Sequence, residues 1–189
     1  ILIIGAGPAG STTAIQLKRY GIRPTLLEKD HVGGLLRNAN LVENYPGFPE
    51  GISGPKLIAL LDKQMQRMGV EVIFNEVKHL KFEDGWWVET KQATYQPDVV
   101  IIATGTKPRP LPVRVPEQAK TRVFSEVWPL AAVKNQHVVI IGAGDAAIDY
   151  ALNLAGKGNN VTILNRGTEL SCLPLLWERA PATPAIIYR

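Results

Sequence analysis

The amino-acid sequence predicts an α/β protein with two Rossmann-like domains, each a three-layer arrangement in which helices cover a parallel β-sheet. The first observation is a run of apolar residues, 1–4, that leads directly into a glycine-rich stretch at 5–10. The second is a copy of that stretch at 137–147, displaced by 137 residues along the chain. Each copy joins an apolar strand, two or three spaced glycines and a helical pattern, which together begin a dinucleotide-binding βαβ unit.

The composition excludes several other classes of protein. The 189 residues are 46% hydrophobic and 20% charged, as in ordinary globular proteins. The 21 basic and 17 acidic residues form no block of like charge, so the net charge of +4 indicates a solvated surface and not a nucleic-acid site. No apolar run approaches the roughly 18 residues of a membrane span and no leader precedes the first strand, so we expect a cytoplasmic protein.

The cysteine and histidine content limits redox and metal chemistry. Cys172 is the one cysteine in the sequence, so no disulfide and no C-x-x-C pair can form within these residues. The simplest interpretation of Cys172 is an ordinary small, partly buried thiol. The three histidines are far apart and have no neighbouring ligands at metal spacing, so we expect no metal site.

The first glycine motif has a predicted role for each glycine. Gly5 permits the tight turn out of the strand, Gly7 lets the backbone approach a pyrophosphate, and Gly10 allows the helix to pack closely on the sheet. The pyrophosphate would lie on the helix N-terminus, where free N–H groups and the helix dipole favour an anion. Glu28 ends a second apolar run, 18 residues after Gly10, and would accept hydrogen bonds from ribose hydroxyls.

The elements after this unit follow from turn and periodicity signals. Residues 33–34 are a Gly-Gly pair that predicts a flexible turn near the same ligand, and 42–51 are dense in Pro and Gly, which predicts an ordered loop. Ser53 caps a predicted helix that continues to residue 68 and stops at Gly69. Short strands are predicted at 71–74, 77–82 and 86–89, with a hairpin turn at 83–85.

A buried strand and a proline-rich connection complete the first half of the chain. The apolar run at 98–105 is typical of a buried parallel strand, and its small terminal residues would let a ligand pass close to the carboxyl end. Prolines at 108, 110, 112 and 116 predict a stiff connection and a domain boundary. Residues 185–189 begin a further predicted strand, so we expect the chain to be incomplete at its C-terminus.

The second glycine motif differs from the first at the ribose position. A constant shift places Gly5 on Gly142 and Glu28 on Asn165, which Arg166 follows. An acid suits a free ribose hydroxyl, whereas an arginine suits a 2′-phosphate, so the second unit would hold NADPH. The alternative interpretation is that Arg166 is a solvated charge at a strand end.

The motifs follow one another in an order that is typical of one family. They are the first glycine motif with Glu28, Gly33-Gly34-Leu35, the run Glu43-Asn44-Tyr45-Pro46-Gly47-Phe48, Ala103-Thr104-Gly105 and the second glycine motif. This order resembles the thioredoxin reductase family of FAD-dependent pyridine-nucleotide oxidoreductases. The run at 43–48 is the specific part, because many flavoproteins with two dinucleotide sites share the other motifs.

The resemblance implies FAD on the first unit and NADPH or NADH on the second. The implied FAD-binding residues are Gly5, Gly7, Pro8, Ala9, Gly10, Glu28, Lys29, Gly33, Gly34, Leu35, Asn44, Val77, Thr104 and Gly105. The implied NAD(P)-binding residues are Gly142, Gly144, Asp145, Ala146 and Arg166. We accordingly expect an FAD-binding domain at 1–108, a partial NAD(P)-binding domain at 109–189, a connection at 106–122, and a homodimer.

Three departures from the family pattern qualify these expectations. The family's redox C-x-x-C lies just before the second glycine motif, where this chain has the cysteine-free stretch 124–130. The family's 2′-phosphate site usually has His-Arg-Arg, whereas this chain has Asn165-Arg166-Gly167. The family's return to the FAD domain after the nucleotide domain is absent from these residues.

The resemblance therefore implies an NAD(P)H-dependent flavoprotein oxidoreductase without an in-chain redox disulfide. Hydride would pass from NAD(P)H to flavin N5, and electrons would pass to an external acceptor such as a ferredoxin-like protein. The protein's contribution would be placement of the reacting groups, so we assign no catalytic side chain. Two alternatives stay open: a thioredoxin reductase-like enzyme whose disulfide lies outside these residues, and a redox-inactive FAD-binding protein that serves interaction or regulation.

Overall fold

The structure of the protein, a computed structural model, describes residues 1–108, 114–167 and 171–189. The chain forms two compact units, of which the first comprises Ile1–Arg37 and Gly54–Lys107 and the second comprises Asn38–Ser53 and Pro108–Arg189. The expected domains at 1–108 and 109–189 differ from these units, because the second unit begins at Pro108 and also includes the segment 38–53. The prolines at 110 and 112 of the expected connection lie outside the described residues.

The first unit contains a parallel sheet, two helices and an antiparallel sheet. Its elements in chain order are β1 (Leu2–Ile4), α1 (Pro8–Arg19), β2 (Thr25–Glu28), α2 (Gly54–Arg67), β3 (Val72–Phe74), β4 (Val77–Phe82), β5 (Trp86–Thr90), β6 (Thr94–Tyr95) and β7 (Val100–Ile102). The parallel sheet has the strand order β3-β2-β1-β7, and β4, β5 and β6 form the antiparallel sheet. This arrangement confirms the predicted α/β fold.

The two faces of the first parallel sheet are both covered. Successive side chains of a strand point to opposite faces. Ile3 and Leu26 accordingly pack with Ala14, Ile15 and Met65 of the helices. On the opposite face Leu2, Ile4 and Leu27 pack with Val88 of the antiparallel sheet and are only 1%, 9% and 1% exposed. The unit therefore has three layers, with the parallel sheet in the middle.

The second unit is smaller and repeats the same start. Its elements are β8 (His137–Ile141), α3 (Asp145–Gly156), β9 (Asn160–Leu164), α4 (Pro174–Arg179) and β10 (Ile186–Tyr188), and its parallel sheet has the order β10-β9-β8. One face of this sheet packs on the helices through Val161, Ile163, Ile148, Ala151 and Leu154. On the other face Val139, Ile141 and Leu164 are 50%, 62% and 40% exposed.

The two units agree in register as well as in sequence. The 137-residue shift that relates the motifs carries α1 onto α3 and the pairing of Ile3 with Leu26 onto that of Ile140 with Ile163. The glycine one residue after each helix cap, Gly21 or Gly158, has positive φ in both units. The internal repeat predicted from the sequence is therefore a repeat of three-dimensional structure.

Several elements differ from their predicted extents. The turn predicted after Gly33 is a short 3₁₀ helix, Gly34–Asn38. The strand predicted at 98–105 is regular only over β7, which lies at the sheet edge and leaves Ile102 exposed. Sequence periodicity did not indicate α4, which is only 6 residues long. Among the helices that the structure describes, none combines the length and the apolar character needed to cross a membrane.

Candidate dinucleotide-binding sites

The turn between β1 and α1 requires glycine at two positions. Gly5 has φ +103°, a left-handed value, and its N–H donates to the Leu27 carbonyl at 2.8 Å. A Cβ added to Gly5 would lie 2.4 Å from the Ala103 carbonyl oxygen, and one added to Gly10 would lie 1.8 Å from the Gly5 carbonyl oxygen. Both contacts are with backbone, so neither residue can carry a side chain without displacing the turn or the backbone just after β7. The turn and packing roles predicted for these two glycines are confirmed.

Gly7 has the opposite environment. It caps the N-terminus of α1, and a Cβ added to it would meet no described protein atom within 4 Å. The helix has proline in its first turn and no acidic residue there. The first backbone N–H groups of a helix have no partner within the helix and attract anions. The open side of Gly7 is thus suited to a phosphate, with Pro8 partly buried and Ala9 exposed beside it.

The Gly33-Gly34 pair lies next to this motif. Gly33 has φ +91°, and its N–H donates to the Ala6 carbonyl at 2.8 Å. A Cβ on Gly33 would lie 2.4 Å from the Ile58 side chain, whereas a Cβ on Gly34 would lie 3.8 Å from the Gly7 Cα. The structure therefore brings together two glycine-rich segments that are about 25 residues apart in the sequence.

Glu28 is buried at the carboxyl end of β2. Its side chain is 7% exposed, and Oε2 accepts a hydrogen bond from the Ala6 N–H at 2.8 Å. Oε1 accepts from the Asp30 N–H at 3.0 Å. A carboxylate has about four lone-pair sites, so two backbone bonds leave capacity for ribose hydroxyls. Sequence reasoning found Glu28 but not its bond to the glycine loop.

A charged cluster next to Gly34 was not predicted. The His31 ring lies 2.8 Å from Asp30 through Nδ1 and 3.0 Å from the Gly34 carbonyl oxygen through Nε2. Arg37 lies 3.6 Å from the same Asp30 carboxylate. The hydrogen bond with His31 is the main reason that the pKa of Asp30 lies below its ordinary value. A Gly-Gly turn in the sequence gives no signal of the side chains that support it.

The remaining residues predicted for the first site lie in three places. Thr104 and Gly105 follow β7, with the Thr104 Cα next to Gly5, and Gly105 has φ +64° with open space where its Cβ would be. Val77 begins β4 and packs against the hydrophobic cluster between the parallel and antiparallel sheets of the first unit. Lys29 and Leu35 are exposed beside the glycine turns, whereas Asn44 is an exposed residue of the segment 38–53, which belongs to the second unit.

Polar contacts attach the segment 38–53 to the second unit. The Asn38 side chain donates to Glu126 at 3.0 Å and accepts from the Trp128 N–H at 3.0 Å. The Asn40 N–H donates to the Asp149 carboxylate at 2.8 Å. Burial raises the pKa of Asp149, and the backbone hydrogen bonds from Asn40 and Leu41 partly oppose that rise.

A bidentate ion pair completes this attachment. Arg179 donates to the two carboxylate oxygens of Glu43 at 2.7 and 2.9 Å. This hydrogen bonding lowers the pKa of Glu43 and raises that of Arg179. Glu43 is the first residue of the run that carries the family resemblance, so the structure assigns it a contact with α4.

The second glycine motif repeats the geometry of the first. Gly142 has φ +110°, and its N–H donates to the Leu164 carbonyl at 2.8 Å, the counterpart of the bond from Gly5. Gly144 caps the N-terminus of α3 and forms an isolated parallel β-bridge with Ser171. The Asp145 carboxylate accepts from the Leu173 N–H at 2.7 Å. Ser171 and Leu173 therefore lie against this motif, and Ala146 is exposed in the first turn of α3.

The ribose position of the second unit is neutral and hydrogen-bonded. The Asn165 side-chain nitrogen donates to the Gly167 carbonyl at 2.9 Å and to the Tyr188 hydroxyl at 2.8 Å. Arg166 is exposed next to it. Tyr188 was not found by sequence reasoning, because only the pairing of β10 with β9 brings it to this position.

The described residues include neither a cluster suited to a metal ion nor a pair of thiols. Across 1–108, 114–167 and 171–189, no group of three or more His, Cys, Asp or Glu side chains could hold a metal ion. Cys172 is partly buried and packs against the core of the second unit.

The fold and the two glycine sites define a protein with two dinucleotide-binding units. Residues 1–178 match the family model described as pyridine nucleotide-disulphide oxidoreductase. The chain belongs to this family, and its expected resemblance is confirmed. Family members of the thioredoxin reductase type use FAD and NADPH.

Individual relatives give the same result. A thioredoxin reductase of Chlamydia pneumoniae is 32% identical over 200 residues, an alignment that covers 100% of this chain and 64% of the relative. The "34.2 kDa protein in rubredoxin operon" of Clostridium pasteurianum is 34% identical over 170 residues. This alignment covers 88% of this chain and 55% of the relative. The crystal structure of Lactococcus lactis thioredoxin reductase in its FR conformation matches with a TM-score of 0.89 at 32% identity, over 100% of this chain and 63% of that one. The chain thus spans about three fifths of the length of these relatives.

Proposed function

We propose that this chain is the nucleotide-binding part of an FAD-dependent oxidoreductase, in which hydride passes from NAD(P)H to flavin N5 and electrons then pass to an external acceptor such as a ferredoxin-like protein. One observation carries the proposal: the two βαβ units match in register but differ at the ribose position. Glu28 is a buried acid in the first unit, and its counterpart in the second unit is the neutral Asn165 beside Arg166. Two sites of opposite ribose chemistry favour two different nucleotides.

The residues of the first unit fit a dinucleotide. At Gly7 the side where a Cβ would stand is open, and the Gly33-Gly34 turn forms the next wall of the same cradle. Backbone N–H groups at the start of α1 would bind the pyrophosphate, and Glu28 would accept from the ribose. Glu28 also holds Ala6, so the ribose contact and the phosphate loop are fixed by one carboxylate.

The chain's own contribution to the reaction is binding and orientation. The two units would each bind one nucleotide by its phosphates and ribose, and the bound FAD and NAD(P)H would supply the hydride-transfer chemistry. No side chain in the described residues needs to move a proton for this purpose. The sequence also carries no C-x-x-C, so within this chain no thiol pair can receive the electrons.

A second candidate is a thioredoxin reductase-like enzyme whose redox disulfide lies outside these residues. The family description and the names of the relatives favour it. The two candidates differ in the acceptor: the first reduces a ferredoxin-like protein directly, and the second reduces a disulfide partner. Steady-state assays of the whole protein with each acceptor distinguish them.

The central test is an anaerobic titration of the purified protein. We expect a yellow protein whose flavin absorption bleaches on addition of NADPH or NADH. Bound FAD that neither nucleotide reduces would instead indicate the redox-inactive alternative, in which FAD serves interaction or regulation. A colourless protein that takes up no FAD would contradict the proposal entirely.

Two matched variants assign the nucleotides to the units. Gly7 and Gly144 have extended backbones, and an added Cβ meets nothing within 4 Å at Gly7 and only the Ser171 hydroxyl at 3.7 Å at Gly144. Both glycine-to-alanine changes should therefore leave the fold intact. Gly7→Ala should abolish FAD retention, whereas Gly144→Ala should retain FAD and abolish its reduction by NAD(P)H. The reverse result would exchange the two assignments.

A further inference from the structure

The Tyr188 hydroxyl is held in a defined orientation at the ribose position of the second unit. Its ring packs edge-on against Trp177, with the ring centroids 4.9 Å apart and the planes at 73°. Its oxygen lies 2.8 Å from the Asn165 side-chain nitrogen. The ring contact and the hydrogen bond together restrict both ends of the phenol.

The direction of that hydrogen bond follows from a neighbouring carbonyl. The Asn165 nitrogen also lies 2.9 Å from the Gly167 carbonyl oxygen, which can only accept. The amide group must therefore present its NH₂ to this side, and it donates to the Tyr188 oxygen. A phenol that accepts a hydrogen bond still has its own O–H to donate. Within the described residues, the bond from Asn165 is the one hydrogen bond recorded for this hydroxyl.

We propose that Tyr188 is a specificity-determining residue that donates its hydroxyl proton to the 2′-phosphate of NADPH. The inference rests on the proposed function of the second unit as the nicotinamide nucleotide site. The counterpart position in the first unit carries an acceptor, the Glu28 carboxylate, which suits a ribose hydroxyl. The second unit replaces this acceptor with Asn165 and adds two donors, the Tyr188 hydroxyl and the exposed Arg166 guanidinium.

Donors discriminate between a phosphate and a hydroxyl because charge strengthens the hydrogen bond. A hydrogen bond to a charged group contributes about twice as much as one between neutral groups. The loss of the Tyr188 hydroxyl should therefore weaken binding of a 2′-phosphorylated nucleotide by about 10-fold or more, and binding of the unphosphorylated nucleotide by about 3-fold or less. Tyr188 thus acts on the choice between NADPH and NADH and not on the reaction itself.

The test measures binding without the nicotinamide, so that flavin reduction does not enter. Adenosine 2′,5′-bisphosphate and AMP are titrated into the purified protein by calorimetry, with the wild type, Tyr188→Phe and the control Tyr20→Phe. Phenylalanine keeps the ring that contacts Trp177, and equal thermal unfolding midpoints verify the fold. Tyr20 is 73% exposed at the end of α1 and should change neither affinity.

The outcomes separate this inference from the function on which it rests. Selective loss of bisphosphate affinity in Tyr188→Phe, together with a reversed preference in Asn165→Asp, supports the inference. Equal effects on the two nucleotides, or no effect, overturn it and leave the nucleotide site in place. If the wild type binds neither compound, the proposed function of the second unit fails, and the role of Tyr188 fails with it.

Discussion

The two βαβ units have the same element order and strand register but differ in what surrounds them. Their first helices match residue for residue, and the bond from Gly5 to Leu27 has an equal counterpart from Gly142 to Leu164. In the first unit, however, Leu27 is 1% exposed beneath the antiparallel sheet, whereas Leu164 is 40% exposed. The local geometry of such a unit is therefore set by its own short sequence, and its burial is set by other segments of the chain.

Among matched positions of the two units, we expect the third position of the glycine motif to show the largest difference in the effect of substitution on unfolding free energy. Gly10→Ala places a methyl group against the Gly5 carbonyl, which cannot move without opening the turn, so we expect a loss of about 4 kcal/mol or more in unfolding free energy. Ala147→Gly in the second unit removes a methyl that is already accommodated and should cost about 1 kcal/mol. Denaturant unfolding of both variants measures the contrast, and equal costs would mean that the two helix–strand contacts are alike.

The next contrast concerns burial at matched positions. Leu27→Ala opens a cavity between two sheets and should cost about 2–5 kcal/mol, whereas Leu164→Ala in this 189-residue chain should cost about 1 kcal/mol or less. Unfolding midpoints at constant m-value give the two numbers. A cost for Leu164 as large as that for Leu27 would show that its face is covered in solution.

Glu28→Gln should change nucleotide binding more than it changes the fold. The Ala6 and Asp30 N–H groups donate to different carboxylate oxygens, and glutamine replaces one of these oxygens with an NH₂ group, so one of the two donors loses its acceptor. We expect FAD affinity to fall about 10-fold and unfolding free energy to fall by about 1–3 kcal/mol. Equilibrium dialysis of the flavin checks the first effect, and Glu28→Asp tests whether a shorter carboxylate restores it.

The smallest predicted effects concern pH: the contributions of Asp30 and Asp149 to unfolding free energy should change in opposite directions as the pH rises. Asp30 has a lowered pKa when folded, so its contribution to stability is present above its ordinary value of 3.8 and is lost as the pH falls through the lower folded value. Asp149 has a raised pKa, so its contribution is fully present below 3.8 and is lost as the pH rises through the higher folded value. Asp30→Asn should flatten the first slope and Asp149→Asn the second, in unfolding midpoints taken at pH steps above and below 3.8. Slopes of the same sign would contradict these assignments.

Sequence patterns predicted those structural features that depend on residues close together in the chain. Both glycine turns, Glu28 at the end of β2 and the 137-residue repeat follow from spacing alone, because a strand, a turn and a helix are specified locally. The contacts of His31, Arg179 and Tyr188 were not predictable in this way. Each contact depends on a partner that a loop conformation or strand pairing brings near, and the identity of the side chain alone does not indicate that partner.

The placement of the segment 38–53 shows the same limit. Its Pro and Gly content correctly predicted a loop, and its run at 43–48 carried the family resemblance. Its attachment to the second unit depends on Asn38, Asn40 and Glu43 contacting residues that lie 88 to 136 positions away in the sequence. Separations of this size cannot be inferred from one sequence without knowledge of the fold.

The exposed face of the second sheet has a consequence for its motions. Backbone hydrogen bonds between β8 and β9 have side chains such as Val139 and Ile141 on one side and open solvent beyond them, whereas those between β1 and β2 are enclosed on both sides. Water reaches the former through smaller fluctuations, so in this chain their amide protons should exchange with deuterium well before those of β1 and β2. Two units with the same element order and strand register would then differ in how often their backbone hydrogen bonds open.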